Sequence, residues 1–165
     1  MKAFLRSFVY AGRGVWFCIR HERNFRFHMV AAIYVLCFAP LFSLTRGEWA
    51  ALLATIGVVF TAEAVNTAIE QTVNRISPER HPQARAAKDA AAGAVLLCCL
   101  LAVGVAAALF WQPEVWADIL RDWQTGLWKP GILILSLPFA VWFIGGREVP
   151  SPQEEPADSP RADTK

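Results

Sequence analysis

The sequence predicts an all-α membrane protein: an N-terminal amphipathic surface helix, three transmembrane helices and a fourth, C-terminal apolar helix. Three observations carry that expectation. The 165 residues are 55% hydrophobic and 18% charged, with a mean hydropathy of +0.34, too apolar for a soluble domain of this size. Three runs nearly free of charge approach the roughly 20 residues that a helix needs to cross a bilayer. Lysines and arginines gather in alternate loops, as a multi-pass topology demands.

The surface helix comes first, over about residues 4–22. Phe4, Leu5, Phe8, Val9, Val15, Trp16 and Ile19 recur at helical spacing, and Arg6, Arg13 and Arg20 form a separate stripe. Such a helix lies on a leaflet with its arginines toward lipid headgroups or a phosphate-bearing ligand. These arginines interrupt the early apolar residues, so no cleavable signal peptide is expected and the N-terminus is read as retained.

Transmembrane spans are predicted over about 27–44, 49–70 and 90–111, which with the surface helix make a 1–111 membrane domain. Residues 112–146 read as an extension. Its apolar run, Gly131 to Gly146, is short and holds Pro138 at its middle, which fits a fourth span or a re-entrant segment; the span is the reading adopted. The tail, 147–165, is rich in proline, acid and serine and is expected to be disordered.

Orientation follows from the short loops. Lys2, Arg6, Arg13, Arg20, Arg23 and Arg26 precede the first span, and Arg75, Arg80, Arg85 and Lys88 lie between the second and third. The opposite loops hold Arg46, then Arg121 and Lys129. The N-terminus and loop 71–89 are therefore expected in the cytoplasm.

Several function classes are set aside. The basic residues serve the topology and form no continuous patch, which argues against nucleic acid as a partner. Cys18, Cys37, Cys98 and Cys99 lack the paired spacing of a zinc site and read as small buried hydrophobes. There is no GxxxxGK[ST], HRD or DFG, so a soluble type of nucleotide fold is excluded.

What remains is chemistry inside the second span. At about 100° per residue, Glu63, Thr67, Glu70 and Asn74 share a narrow arc, with Asn66 about 60° to one side. Val65, Ile69, Val73 and Ile76 form the opposite, apolar face, so the polar stripe should point into a bundle or a groove. Counting about 1.5 Å per residue from Trp49, Glu63 lies about 21 Å in and Glu70 about 31 Å in, at the inner surface. A carboxylate at the depth of Glu63 is costly unless paired, and suits a general base acting on a hydroxyl held near the headgroups. Glu70 is placed to meet water-soluble ligands and cations, with Glu22 as a second carboxylate for magnesium. Glu79, Arg80, His81, Lys88 and Asp89 are brought to the same surface. A structural pairing of Glu63 across a helix interface, or a place in an ion path, is the competing reading.

The segment EAVNTAIE, with HERNFRFHMVAA before it and SPERHPQARAAKDAAAGAVL after it, closely resembles the small bacterial integral-membrane lipid kinases, the family of prokaryotic diacylglycerol kinase and undecaprenol kinase. The resemblance runs from about Phe8 to Phe110. It implies a homotrimer with three transmembrane helices and a surface helix per chain, active sites at subunit interfaces, and transfer of the terminal phosphate of ATP to a membrane lipid alcohol with Mg2+. Position by position, it implies Glu63 as the catalytic base with Asn66 beside it, and Glu22 and Glu70 as the carboxylates that hold the metal with ATP. Tyr10, Glu79, Arg80, His81, Lys88 and Asp89 are similar to nucleotide-contacting positions. Arg26 corresponds to the mouth of the lipid site, so Arg26, Glu63 and Asn66 are the substrate-binding set.

Two departures stand out. Where the proteobacterial diacylglycerol kinases carry a glutamate after the FR of the first span, this chain has His28, similar to the Gram-positive branch, which favours undecaprenol. Taken without the family, His28 reads as an interface histidine. Everything beyond about Gln112 lies outside the resemblance. Undecaprenol is thus the first acceptor and diacylglycerol the alternative; a non-catalytic channel or scaffold is the reading from another class.

Overall fold

The computed structural model describes residues 2–77, 81–126 and 128–146, and every regular element among them is helical. In chain order these are α1 (Lys2–His21), α2 (Arg23–Phe38), α3 (Arg46–Ile76), α4 (Pro82–Phe110), α5 (Pro113–Thr125) and α6 (Trp128–Ile144). The expected tail, 147–165, lies outside the described residues.

Glu22 breaks the first helix from the second. Its backbone is extended, at φ −110° and ψ 113°, which turns the chain into an elbow between α1 and α2. At the far end of α2, Pro40 has no amide to offer the helix, and the chain tightens into a 3₁₀ turn over Ala39–Phe42. The first span, expected to run helically to residue 44, therefore ends its α-helix at Phe38. Ser43 then adopts the left-handed region at φ 49°, and Thr45 starts α3 with a capping box: its hydroxyl accepts from the Glu48 amide at 3.3 Å while Glu48 Oε2 accepts from the Thr45 amide at 2.7 Å.

Helices α3 and α4 are longer than their apolar runs. At about 1.5 Å per residue, α3 reaches about 46 Å, so its last turns project past a hydrocarbon layer about 30 Å thick. Three stretches, 23–42, 46–76 and 82–110, are long and apolar enough to cross a membrane. α3 and α4 share the longest seam, and α2 lies across them. At the far end a small core of Ala39, Leu52 and Leu109 gathers Val35, Trp49, Val105 and Phe110 around it.

The extension holds one helix that the sequence reading did not anticipate. α5 begins at Pro113 and is amphipathic. It folds back over the far end: Trp116 Nε1 donates to the Phe110 carbonyl at 2.8 Å, its ring lies 5.2 Å from Phe42, and Trp123 meets Phe38. A bend of 99° leads into the apolar stretch of α6. α6 stays helical through Pro138 and runs antiparallel along α2. Tyr34 Oη and Ser136 Oγ are 2.8 Å apart midway, and Arg26 reaches the last carbonyls of α6.

Of the cysteines, read as buried hydrophobes, only Cys18 is buried; Cys37 is exposed and Cys98 and Cys99 are half-buried, all as free thiols. The outward faces of spans meet lipid, so an apolar thiol there needs no protein around it.

Candidate active site

The polar stripe of α3 points inward. Glu63, Asn66 and Thr67 are buried while Val65 and Ile76, on the apolar face, are exposed, an inverted pattern that only a lipid environment stabilises. Glu63 is 2% exposed. Its Oε1 lies 3.2 Å from His28 Nε2 on α2, and the same nitrogen lies 3.8 Å from Cys99 Sγ on α4. Three spans therefore converge on one carboxylate.

From this junction an apolar cleft of about 280 Å³ runs toward the far end between α2, α3 and α4. His28 stands at its elbow end, Val35 and Leu52 lie further along, and Phe27 and Val103 are on its rim; both rim residues are exposed. Such a cleft accepts a hydrocarbon chain from the bilayer and directs whatever polar group ends that chain toward Glu63.

Asn66 faces away from His28, toward α4, in a shallow hollow with Ala62, Ala91 and Cys98. It is buried, and its Oδ1 has no hydrogen-bond partner among the described residues. A buried acceptor left unpaired is costly, which leaves this oxygen open to a donor from outside the described residues.

At the elbow end, α1 packs against α3 with Cys18 beside Thr67. Burial pushes the Cys18 thiol above its ordinary value, the Thr67 hydroxyl pulls against that, and the carboxylates of Glu22 and Glu63 add to the rise. Glu70 is half-buried, two helical turns from Glu63 on the same stripe. Among the described residues no three His, Cys, Asp or Glu side chains form a metal cage.

The remaining expected contacts fall as follows. Lys88 Nζ donates to Asn74 Oδ1 at 3.2 Å, which ties the start of α4 to the end of the stripe. Asp89 pairs with Arg85 at 3.8 Å, both well exposed. His81 caps α4, its Nδ1 accepting from the Gln83 amide. Tyr10 is exposed on α1 with the Arg13 guanidinium 5.9 Å above its ring. Glu79 and Arg80 lie outside the described residues. Arg26, expected at the lipid mouth, is 4% exposed, and its N–H groups all point at backbone carbonyls: Ile19 and Arg20 from Nη1, Ile144 from Nε, Ile144 and Gly146 from Nη2. As arranged, it has no donor left for a lipid.

Sequence reasoning did not anticipate the pairing of His28 with Glu63, nor the place of Cys18 and Cys99 beside them. The depth of His28 in the first span was visible. Which face of that span meets the second was not.

Comparison with known proteins accords with this geometry. The chain is 50% identical over 103 residues to an undecaprenol kinase of Bacillus subtilis (strain 168), covering 62% of this chain and 81% of that one. It is 39% identical over 110 residues to a diacylglycerol kinase of Synechocystis, covering 66% and 63%, and 35% identical over 89 residues to a diacylglycerol kinase of Pseudomonas aeruginosa, covering 54% and 72%. No solved structure matches the chain. Residues 9–110 match the prokaryotic diacylglycerol kinase family from the surface helix to the end of α4, and with the inward-facing acid of α3 at its centre the chain belongs to that family.

Proposed function

We propose that the protein is an ATP- and Mg2+-dependent kinase that phosphorylates a membrane lipid alcohol, undecaprenol foremost. The observation that carries this reading is the buried Glu63, paired with His28 at the head of an apolar cleft. A lipid chain in the cleft brings its hydroxyl to Glu63. The carboxylate takes the hydroxyl proton as the oxygen attacks the terminal phosphorus, and the bond to the bridging oxygen of ADP breaks. Positioning and electrostatics supply most of the rate.

The donor set fits a hard cation. Glu22 and Glu70 offer carboxylate oxygens, and magnesium takes one or two of these with phosphate oxygens and water. When bound, the ion offsets negative charge on the transferring group. Lys88 stands at the same end, with Asp89, His81, Glu79, Arg80 and Tyr10 as the wider nucleotide surface, and Asn66 beside the base.

Assembly as a homotrimer, with sites shared between subunits, belongs to the same proposal. It is supported by the Asn66 oxygen, which has no hydrogen-bond partner among the described residues. α6 counts as a fourth span, and the Lys/Arg bias puts the elbow end in the cytoplasm at the inner membrane.

Diacylglycerol is the second acceptor considered, because relatives at 39% and 35% identity are named for it. Purified protein in phosphatidylglycerol vesicles, given labelled ATP and either undecaprenol or diacylglycerol, tests the choice. Label in undecaprenyl phosphate is the expected result. Label in phosphatidic acid alone reassigns the acceptor, and ion flux without lipid-dependent ATP consumption replaces the kinase with a channel.

A further inference from the structure

α6 lies wholly outside residues 9–110, the part that matches the family, and no role for it follows from membership. What it touches is informative. One guanidinium, buried at the elbow end, receives the ends of two helices: Arg26 Nη1 donates to Ile19 and Arg20 at the close of α1, at 3.3 and 3.1 Å. Nε and Nη2 donate to Ile144 and Gly146 at the close of α6, at 3.1 to 3.3 Å. The last carbonyls of a helix have no partner within it and carry the negative end of its dipole. A planar cation with a rigid fork of donors satisfies both ends at once.

The Glu22 amide closes α1 on the Cys18 carbonyl at 2.9 Å, while on the α2 side its carbonyl accepts from the Arg26 amide at a longer 3.3 Å. The guanidinium of the same Arg26 adds a second tie across the elbow, from α2 to the last carbonyls of α1, and so bears on the angle between the two helices and on the direction of Glu22. Three of the five Arg26 hydrogen bonds depend on α6 being seated. Without its carbonyls the donors are left buried and unpaired, and the guanidinium has to turn toward water, leaving α1 uncapped.

We propose that α6 is a brace for the α1–α2 elbow, acting through Arg26 as a positioning residue that ties the orientation of Glu22 to the seating of the C-terminal helix. This rests on the reading of Glu22 as a nucleotide-site carboxylate. The extension thereby becomes a means of setting nucleotide affinity from a helix that contributes nothing to the chemistry.

The test uses the full chain in vesicles with undecaprenol and magnesium–ATP. Ala140→Trp wedges α6 off α2, because Ala140 is buried in that seam; the pair Tyr34→Phe with Ser136→Ala loosens the seam more gently should the bulky change prevent folding. Arg26→Lys removes the fork and keeps the charge. Two readouts are taken: the rate of maleimide labelling of Cys18, mapped by peptide, and KM for magnesium–ATP against kcat. Each change is expected to speed Cys18 labelling about tenfold, as local opening does, and to raise the nucleotide KM several-fold, with kcat within about twofold in the α6 variants. Arg26→Lys combined with Ala140→Trp is expected to be no worse than either alone. Labelling and KM both unchanged by the α6 variants overturn the brace. Faster labelling with an unchanged nucleotide KM upholds the mechanical link and removes Glu22 from the nucleotide site, which Glu22→Gln then checks directly.

Discussion

His28 Nε2 lies 3.2 Å from Glu63 Oε1, and this pair joins the first and second spans at the depth where the acid would otherwise stand alone. Glu63 is almost wholly enclosed, its side chain 3% exposed against 18% for His28. The histidine is therefore the more exposed partner of a carboxylate that the protein encloses. His28→Ala is expected to destabilise the protein in detergent by about 1–3 kcal/mol, the usual result of stranding one member of a buried polar pair. His28→Gln, which keeps a donor at similar reach, should recover most of that. Thermal unfolding of the three forms decides it, and equal midpoints would show that the contact carries no stability.

Glu63→Gln keeps shape and hydrogen bonding while removing the base. Transfer of labelled phosphate to undecaprenol should fall by at least about 10²-fold, the usual worth of a positioned base, with cross-linked oligomer bands unchanged. Near-normal turnover would return Glu63 to the structural reading.

Lys88 and Arg85 offer a contrast on one helix. Lys88 bridges to Asn74 at the end of the stripe, whereas Arg85 pairs with Asp89 in an exposed setting, where such pairs contribute about 0–1 kcal/mol. Lys88→Met should raise the KM for magnesium–ATP about tenfold or more, as expected when charge-assisted contacts to phosphate are lost. Arg85→Gln should change unfolding by no more than about 0.5 kcal/mol. Equal effects of the two on nucleotide KM would argue against a phosphate contact for Lys88.

Cys18 makes the docking of α1 sensitive to alkali. Burial holds its thiol above the ordinary value, so the protonated form is favoured in the folded state. The sign follows: the contribution is full below the unfolded thiol value, about 8.5, and is lost as pH rises through the higher folded value. Stability measured from neutral to alkaline pH should fall with a slope that Cys18→Ala flattens. An unchanged slope in that variant assigns the alkaline loss to other groups.

Much of this was legible in the sequence, for physical reasons that differ from residue to residue. The all-helical class and the three long apolar helices follow from hydropathy alone, and the inward stripe of Glu63, Asn66 and Thr67 follows from helical spacing. Hydropathy sees only the part of a helix that lipid covers, so the polar turns at Gln71–Ile76 and from Pro82 on were read as loop. α5 was overlooked because Glu114, Asp118, Arg121 and Asp122 hide the stripe of Trp116, Ile119, Leu120 and Trp123, though Pro113 at its first turn was a usable start signal. The contacts of Arg26 were hidden for a deeper reason: its acceptors are backbone carbonyls, two of them 118 and 120 residues away, and a backbone acceptor leaves no mark on the residue type.

Pro138 withdraws an amide from the middle of α6 and with it the helical donor to the Ile134 carbonyl, while Ser136 donates its hydroxyl proton one position earlier, to the Leu133 carbonyl at 2.7 Å. That proton is then committed, so across the 2.8 Å contact Tyr34 must be the donor. The seam between the two helices is thus polarised at its midpoint: α6 offers an acceptor beside its own break, and α2 carries the hydroxyl that fills it.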